Sequence, residues 1–224
     1  MTNLKKIYFS SNQINEIHSN AFNQLAKSLE IIYFKENKIK VIHEKTFNNL
    51  TNLKELHFFG NLIEEINPKL FNGLVNLEYI SFGWNNIEVI HENTFNGLTN
   101  LKKIDLSRNQ IKEIHPNVFN GLANLVSIDF MENKIEIIHE NTFNGLTNLK
   151  RIDFNKNNIK EIHPNAFNHG LVNLEHINLR NNKIEIIQEN TFNGLANLKK
   201  IDFFRNQIKE IHPNAFSAYK FLRF

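Results

Sequence analysis

The sequence predicts a β-rich α/β solenoid: nine stacked coils in a right-handed horseshoe. A parallel β-sheet lines the concave side, and the convex side is mostly irregular or short 3-10 turns. Three observations predict it. An asparagine recurs at Asn12, Asn37, Asn61, Asn85, Asn109, Asn133, Asn157, Asn182 and Asn206, with gaps of 25, 24, 24, 24, 24, 24, 25 and 24 residues. A phenylalanine keeps step with it at Phe22, Phe47, Phe71, Phe95, Phe119, Phe143, Phe167, Phe192 and Phe216. Around these markers every copy follows one apolar pattern, L-x-x-I/L-x-F/L-x-x-N-x-I-x-x-I-x-x-x-x-F-x-x-L. Self-similarity at a fixed period of roughly 20–50 residues is the mark of a stacked-repeat architecture.

The coils begin near Leu4, Leu29, Leu53, Leu77, Leu101, Leu125, Leu149, Leu174 and Leu198, and together make residues 1–224 a single domain. The stretch Leu101–Ile114 shows the unit. Apolar and polar residues alternate through Ile104, Asp105 and Leu106, as a half-buried strand requires. Stacked copies place such strands side by side, about 4.8 Å apart. Parallel neighbours need a right-handed crossover, which the second half of each copy supplies. No coil can bury its apolar face alone, so adjacent coils must share one continuous core. The asparagine falls where the chain leaves the strand and backbone groups turn inward. A buried amide there is expected to bond several of them, in its own coil and the next. The phenylalanine set is expected to stack as an aromatic spine on the convex side. Both longer gaps carry their extra residue between the phenylalanine and the next coil, at 22–29 and 167–174, which places that loop off the sheet.

This pattern resembles the leucine-rich repeat family, in the 24-residue subtype whose second half carries a phenylalanine, from Leu4 to Leu222. The resemblance implies a recognition scaffold that grips a protein or peptide ligand on its concave strands. It also implies extracellular or cell-surface work, including adhesion and innate immunity. The chain departs from such proteins in having no cysteine for terminal caps and in entering the repeat at once, with no signal peptide before Leu4. Either the protein stays inside its cell or this array is a piece of a longer one. Unshielded ends would permit end-to-end self-association. At the far end, Leu222 stands where a tenth coil would start, and Tyr219, Phe221 and Phe224 are expected to fold back as a makeshift lid. No apolar run approaches the roughly 20 residues that span a bilayer.

Chemistry-bearing sets are few. Zero cysteines exclude disulfides and thiolate chemistry, and a net charge of +3 gives no strong nucleic-acid signal. His18, His43, His91, His115, His139, His163 and His212 form a ladder that could bind metal or sense pH; a solvent-edge row beside glutamates such as Glu92, Glu113 and Glu140 is the expected reading. His91-Glu92 and His139-Glu140 begin as a zinc-protease helix motif begins, but Phe95 and Phe143 stand where its second histidine would be. Asp105, Asp129, Asp153 and Asp202 line the strand face with Asn178 among them. Stacked carboxylates could raise one another's pKa or hold calcium, but Lys103, Arg108, Arg151, Lys156 and Arg205 lead us to expect an ion network instead. No constellation for catalysis, metal or cofactor emerges, so the chain is not expected to be an enzyme. A longer period of two coils, with Pro68, Pro116, Pro164 and Pro213 in alternate copies and lysine alternating with glutamate at Lys54, Glu78 and Lys102, is read as a trace of duplication.

Outward strand positions carry little structural duty, so their variation is free to specify a partner. Large aromatic residues concentrate in coils two to four. Tyr33, Phe59 and Trp84 are expected to form a diagonal, with His57 and Tyr79 beside them and Arg108 and Met131 continuing the surface. Exposed aromatics with an arginine are the usual material of binding hot spots. Gly83 is expected to leave room beside Trp84 for a partner or for the indole to lie flat. The expected function is therefore protein binding through the concave face; the alternative is a targeting module of a larger intracellular signalling or ubiquitin-ligase protein.

Overall fold

The computed structural model describes residues 3–168 and 170–217. Nine three-residue strands form one parallel sheet in chain order: Lys6–Tyr8, Ile31–Tyr33, Glu55–His57, Tyr79–Ser81, Lys103–Asp105, Ser127–Asp129, Arg151–Asp153, His176–Asn178 and Lys200–Asp202. Register is one-for-one, with Ile104 opposite Ile128 and Asp105 opposite Asp129. The middle residue of each strand turns inward, and Ile32, Leu56, Ile80, Ile104, Ile128, Ile152 and Ile177 are buried. The molecule is the parallel β-solenoid the repeat predicts. Its second side is more regular than expected. Two-residue parallel strands pair Glu16–Ile17 with Val41–Ile42, Ile137–Ile138 with Glu161–Ile162, and Ile186–Ile187 with Glu210–Ile211. The second isoleucine of each coil, buried from Ile17 through Ile187, holds the backbone here at the same height from copy to copy. A 3-10 turn, Asn23–Leu25, takes up the first extra residue. The second extra residue also leaves the sheet undisturbed, since Arg151 still pairs with His176. Tyr219, Phe221, Leu222 and Phe224, expected as a lid, lie outside the described residues.

The phenylalanine spine is present, with rings stacked from Phe95 to Phe119 at 6.1 Å, Phe143 to Phe167 at 5.7 Å and Phe167 to Phe192 at 5.8 Å. A second stack runs beside it from the inward position after each strand. Phe9, Phe34, Phe58 and Phe82 follow one another at 5.1 Å, and Phe130 meets Phe154 at 5.5 Å. Edge contacts such as Phe71–Phe82 and Phe143–Phe154 knit the two stacks together. Edge-to-face pairs add to what burial alone contributes.

The asparagine ladder holds coil to coil, in the direction opposite to expectation. Asn109 donates its amide to the carbonyls of Leu106 and Ser107 in its own coil and of Phe82 in the preceding one. Its Oδ1 accepts the Ile87 N–H, again from the preceding coil. Asn37, Asn61, Asn85, Asn133, Asn157, Asn182 and Asn206 also reach back one coil. The reach is backward because the amide projects from the turn toward strand-end carbonyls already left behind. A second asparagine ladder, which sequence reasoning missed, lies at the residue before the first leucine of coils three to nine. Asn52, Asn76, Asn100, Asn124, Asn148, Asn173 and Asn197 each donate to a carbonyl one coil back, at 2.7–3.0 Å.

The two-coil period is more than a trace of ancestry. It sets Lys54 against Glu30 at 2.8 Å, Lys102 against Glu78 at 2.7 Å and Lys199 against Glu175 at 2.8 Å. A parallel row does the same with Lys112–Glu88, Lys160–Glu136 and Lys209–Glu185. Identical coils would place like charges opposite each other across the ladder, which destabilises. Alternation turns that repulsion into pairs worth about 0.2–1 kcal/mol each at an exposed surface.

Asn109→Ala should therefore destabilise the protein by about 3 kcal/mol, since it strands buried backbone groups in two coils. Asn12→Ala should cost under about 1 kcal/mol, because Asn12 is exposed and bonds only its own coil. Urea unfolding of the two variants tests the difference.

Candidate ligand-binding face

The parallel register sorts the exposed strand side into rows. The third residue of each strand gives Tyr8, Tyr33, His57, Ser81, Asp105, Asp129, Asp153, Asn178 and Asp202. This row is aromatic at one end and acidic at the other. Two residues on lie Lys35, Phe59, Gly83, Ser107, Met131, Asn155, Arg180 and Phe204. A rim row follows immediately: Ser11, Glu36, Gly60, Trp84, Arg108, Glu132, Lys156, Asn181 and Arg205, every one at positive φ between 52° and 71°. Non-glycine residues rarely adopt this left-handed geometry. Here it is held by a backbone bond to the next coil, as from Trp84 N–H to Ser107 O at 2.8 Å and Arg108 N–H to Met131 O at 2.6 Å. Sequence reasoning had no signal for this, since a left-handed position is ordinarily announced by glycine and only Gly60 obliges.

The aromatic cluster forms, in a different arrangement from the expected diagonal. Tyr33 stacks on Tyr8 at 4.7 Å and on His57 at 4.2 Å, and His57 meets Tyr79 at 4.9 Å. Phe59 and Trp84 make a separate edge contact at 5.8 Å. Tyr8, Tyr33 and His57 meet in straight register, while His57–Tyr79 and Phe59–Trp84 are diagonal contacts, so Tyr33 does not join the Phe59–Trp84 pair. His57, expected as a contact residue, is only 5% exposed. It is walled by the two tyrosines, and its Nε2 lies 2.9 Å from the Glu55 carboxylate. Burial pushes its pKa down against the pull of Glu55. His57 supports the cluster from beneath. Trp84 is 56% exposed, and Tyr8 at the end of the row is 67% exposed. Arg108 is exposed but shares Glu132 with Lys156, and Met131 is half-buried.

Gly83 does not leave room for a partner. A Cβ there would lie 2.9 Å from the Phe59 ring and 2.9 Å from the Asp105 carboxylate. The glycine exists because Phe59 and Asp105 already fill that space. The aspartate row is likewise not the ion network expected of it. Ser81 and Ser107 donate hydroxyls to Asp105, and Asp129 and Asp153 accept backbone N–H groups from Met131 and Asn155. Asp202 does gain cations, Arg180 at 3.4 Å and Lys200 at 3.5 Å. Burial, together with Asp105 and Asp153 on either side, raises the Asp129 pKa to about 6, despite the Met131 N–H and Arg108. On the opposite flank, the histidine ladder lies at the solvent edge beside glutamates. His91 meets Glu65 at 3.0 Å and His139 meets Glu113 at 3.3 Å, each one coil back.

This geometry, a repeat-built scaffold with one varied face, defines a class, and comparison with known proteins supplies the family. The model for the BspA type leucine rich repeat region matches residues 64–186 and 112–223, and leucine rich repeat models match 27–87 and 3–25. The chain belongs to the leucine-rich repeat family. No curated protein matches it. Among solved structures it is similar to the TLR13 chain of a TLR13–ssRNA13 complex, at 28% identity and a TM-score of 0.85, over 92% of this chain and 29% of that one. It also shares its fold with the Toll–Spatzle complex of Drosophila, at 20% identity and a TM-score of 0.76, over 96% of this chain and 32% of the other. The chain thus spans about a third of the length of these solved chains. Among the described residues, no helix is long and apolar enough to cross a membrane.

The raised Asp129 pKa carries a sign. The folded state holds its proton more tightly than the unfolded chain, so stability falls as pH rises from about 4 to about 6. Asp129→Asn should be the more stable protein at pH 7, by roughly 1–2 kcal/mol after allowance for its partial exposure. The advantage should vanish by about pH 4, and chemical denaturation across that pH range measures it.

Proposed function

We propose that the chain is a protein-recognition scaffold that binds a protein or peptide ligand through the aromatic half of its strand face, in coils one to four. The observation that carries this reading is the patch itself. Tyr33 and Tyr79 flank His57 on the strands, and Phe59 supports an exposed Trp84 at the rim. An aromatic ring held in place by its neighbours loses little freedom on binding, which is why such rings dominate interface energetics. The likeness to receptor chains in the TLR13 and Toll complexes supports a role of the innate-immunity or cell-surface kind. One of those complexes contains RNA. A polyanion suits this face poorly, because Asp105, Asp129, Asp153 and Asp202 run along the centre of the acidic half and would repel phosphates. A protein ligand of mixed charge suits both halves.

Peptides selected from a random display library on the wild-type protein provide the probe. Their affinity should fall about tenfold or more with Trp84→Ala and with Phe59→Ala, while Asn155→Ala in the acidic half should leave it within about twofold. Unchanged binding to both aromatic variants would sink the reading.

A further inference from the structure

Coils three and nine carry the same two-row motif, filled in one and unfilled in the other. Phe59 and Phe204 occupy the same position of the repeat, as do Gly60 and Arg205. In coil nine the Phe204 ring is flanked by two guanidinium groups, Arg180 at 4.6 Å and Arg205 at 5.3 Å from its centroid. In coil three the counterpart of Arg205 has no side chain. The missing side chain opens into a groove of about 620 Å³ lined by Gly60, Glu36, Leu62 and Trp84, with Lys38 also on it. Glu36 Cγ lies 3.4 Å from the point where a Cβ on Gly60 would stand. One Glu36 oxygen accepts the Ser11 hydroxyl at 2.9 Å. Among the described residues, the cations found over aromatic rings are Lys35 on Tyr33 and the two arginines on Phe204; none lies over Trp84.

We propose that this notch takes an arginine or lysine side chain of an extended partner segment, its cationic head lying against the Trp84 indole and facing the Glu36 carboxylate. The inference rests on the reading that the aromatic face binds a protein ligand, and it names which residue of that ligand is anchored there. Three features specify a cation over a purely apolar anchor. Tryptophan has the most electron-rich face of the aromatic side chains. Glu36 supplies the opposite charge. In coil nine the residue at the Gly60 position, Arg205, lays its guanidinium against the neighbouring aromatic ring, so a cationic head is compatible with this backbone frame. Leu62, 38% exposed, gives the aliphatic stem of such a side chain an apolar wall. Lys38 is the opposing charge on the groove, and its removal should favour the cation.

Trp84 is the sole tryptophan of the chain, so its emission reports on the notch directly. The full chain is titrated with three blocked tripeptides, Ala-Arg-Ala, Ala-citrulline-Ala and Ala-norleucine-Ala. The arginine peptide should give a saturable emission change at a half-saturation at least about fivefold lower than the other two. Glu36→Gln should weaken it about threefold or more, and Lys38→Met should strengthen it. Gly60→Arg should abolish the response by filling the notch from within. The eight other rim positions are non-glycine at φ between 52° and 58°, so the frame admits a side chain there once Gly60 relaxes from 71°. If that variant fails to fold, Glu36→Gln and Lys38→Met still decide. Equal half-saturation for arginine and norleucine peptides overturns the cation notch and leaves the aromatic face as a binding surface. No response to any peptide overturns the cation notch, and display-selected peptides indifferent to both Trp84→Ala and Phe59→Ala overturn the aromatic face as well.

Discussion

Every coil depends on the bonds it makes to its neighbour. The amide of Asn85 reaches the Phe58 carbonyl one coil back and the Phe82 and Gly83 carbonyls of its own. The Ile63 N–H returns the bond to its Oδ1. A strand of three residues cannot hold itself, and the turn that ends it leaves backbone groups facing a dry interior. The asparagine is the side chain that carries both a donor pair and an acceptor into that space. Repeated at eight coil junctions, the arrangement makes each coil the template for the next, as expected of a solenoid whose stability is built from nearest-neighbour interfaces.

That constraint also explains how the variable face is displayed. Because the ladder fixes register one-for-one, a residue's position in the 24-residue unit decides its row, and its coil number decides its neighbours. Rows that repeat one residue must tolerate identical groups stacked at strand spacing. Phenylalanine gains from this, since rings stack. Lysine and glutamate do not, and their alternation between coils supplies opposite partners. Aspartate does not either, and the outcome at Asp129 is a carboxyl group raised to about 6 by burial between two others.

The fold was legible in the sequence almost to the residue. The period, the strand alternation at Ile104–Leu106 and the phenylalanine spine all express contacts that each coil makes in the same way, so the pattern appears nine times and chance cannot mimic it. The second asparagine ladder, at Asn76 and Asn100 among others, repeats just as regularly, but exposed polar residues before a leucine look like ordinary turn chemistry and give no sign of the bond to the coil behind. The candidate site was legible only in part. Composition showed where aromatic residues concentrate, and it could not show that His57 would be buried between Tyr33 and Tyr79 or that Phe59 and Asp105 would claim the space beside Gly83.

The sequence by itself determined the architecture, the coil boundaries and the face on which variation collects, because these follow from periodicity within the chain. Tertiary structure alone decided which variable residues meet. Tyr33 finds His57 rather than Phe59, Arg108 finds Glu132 rather than an aspartate, and Gly60 rather than Gly83 opens a groove beside Trp84. Partners on neighbouring strands lie 24 or 25 residues apart in the chain, and side-chain reach, the left-handed rim turn and burial select among them. Those selections depend on distances between coils, which no single coil's residues encode.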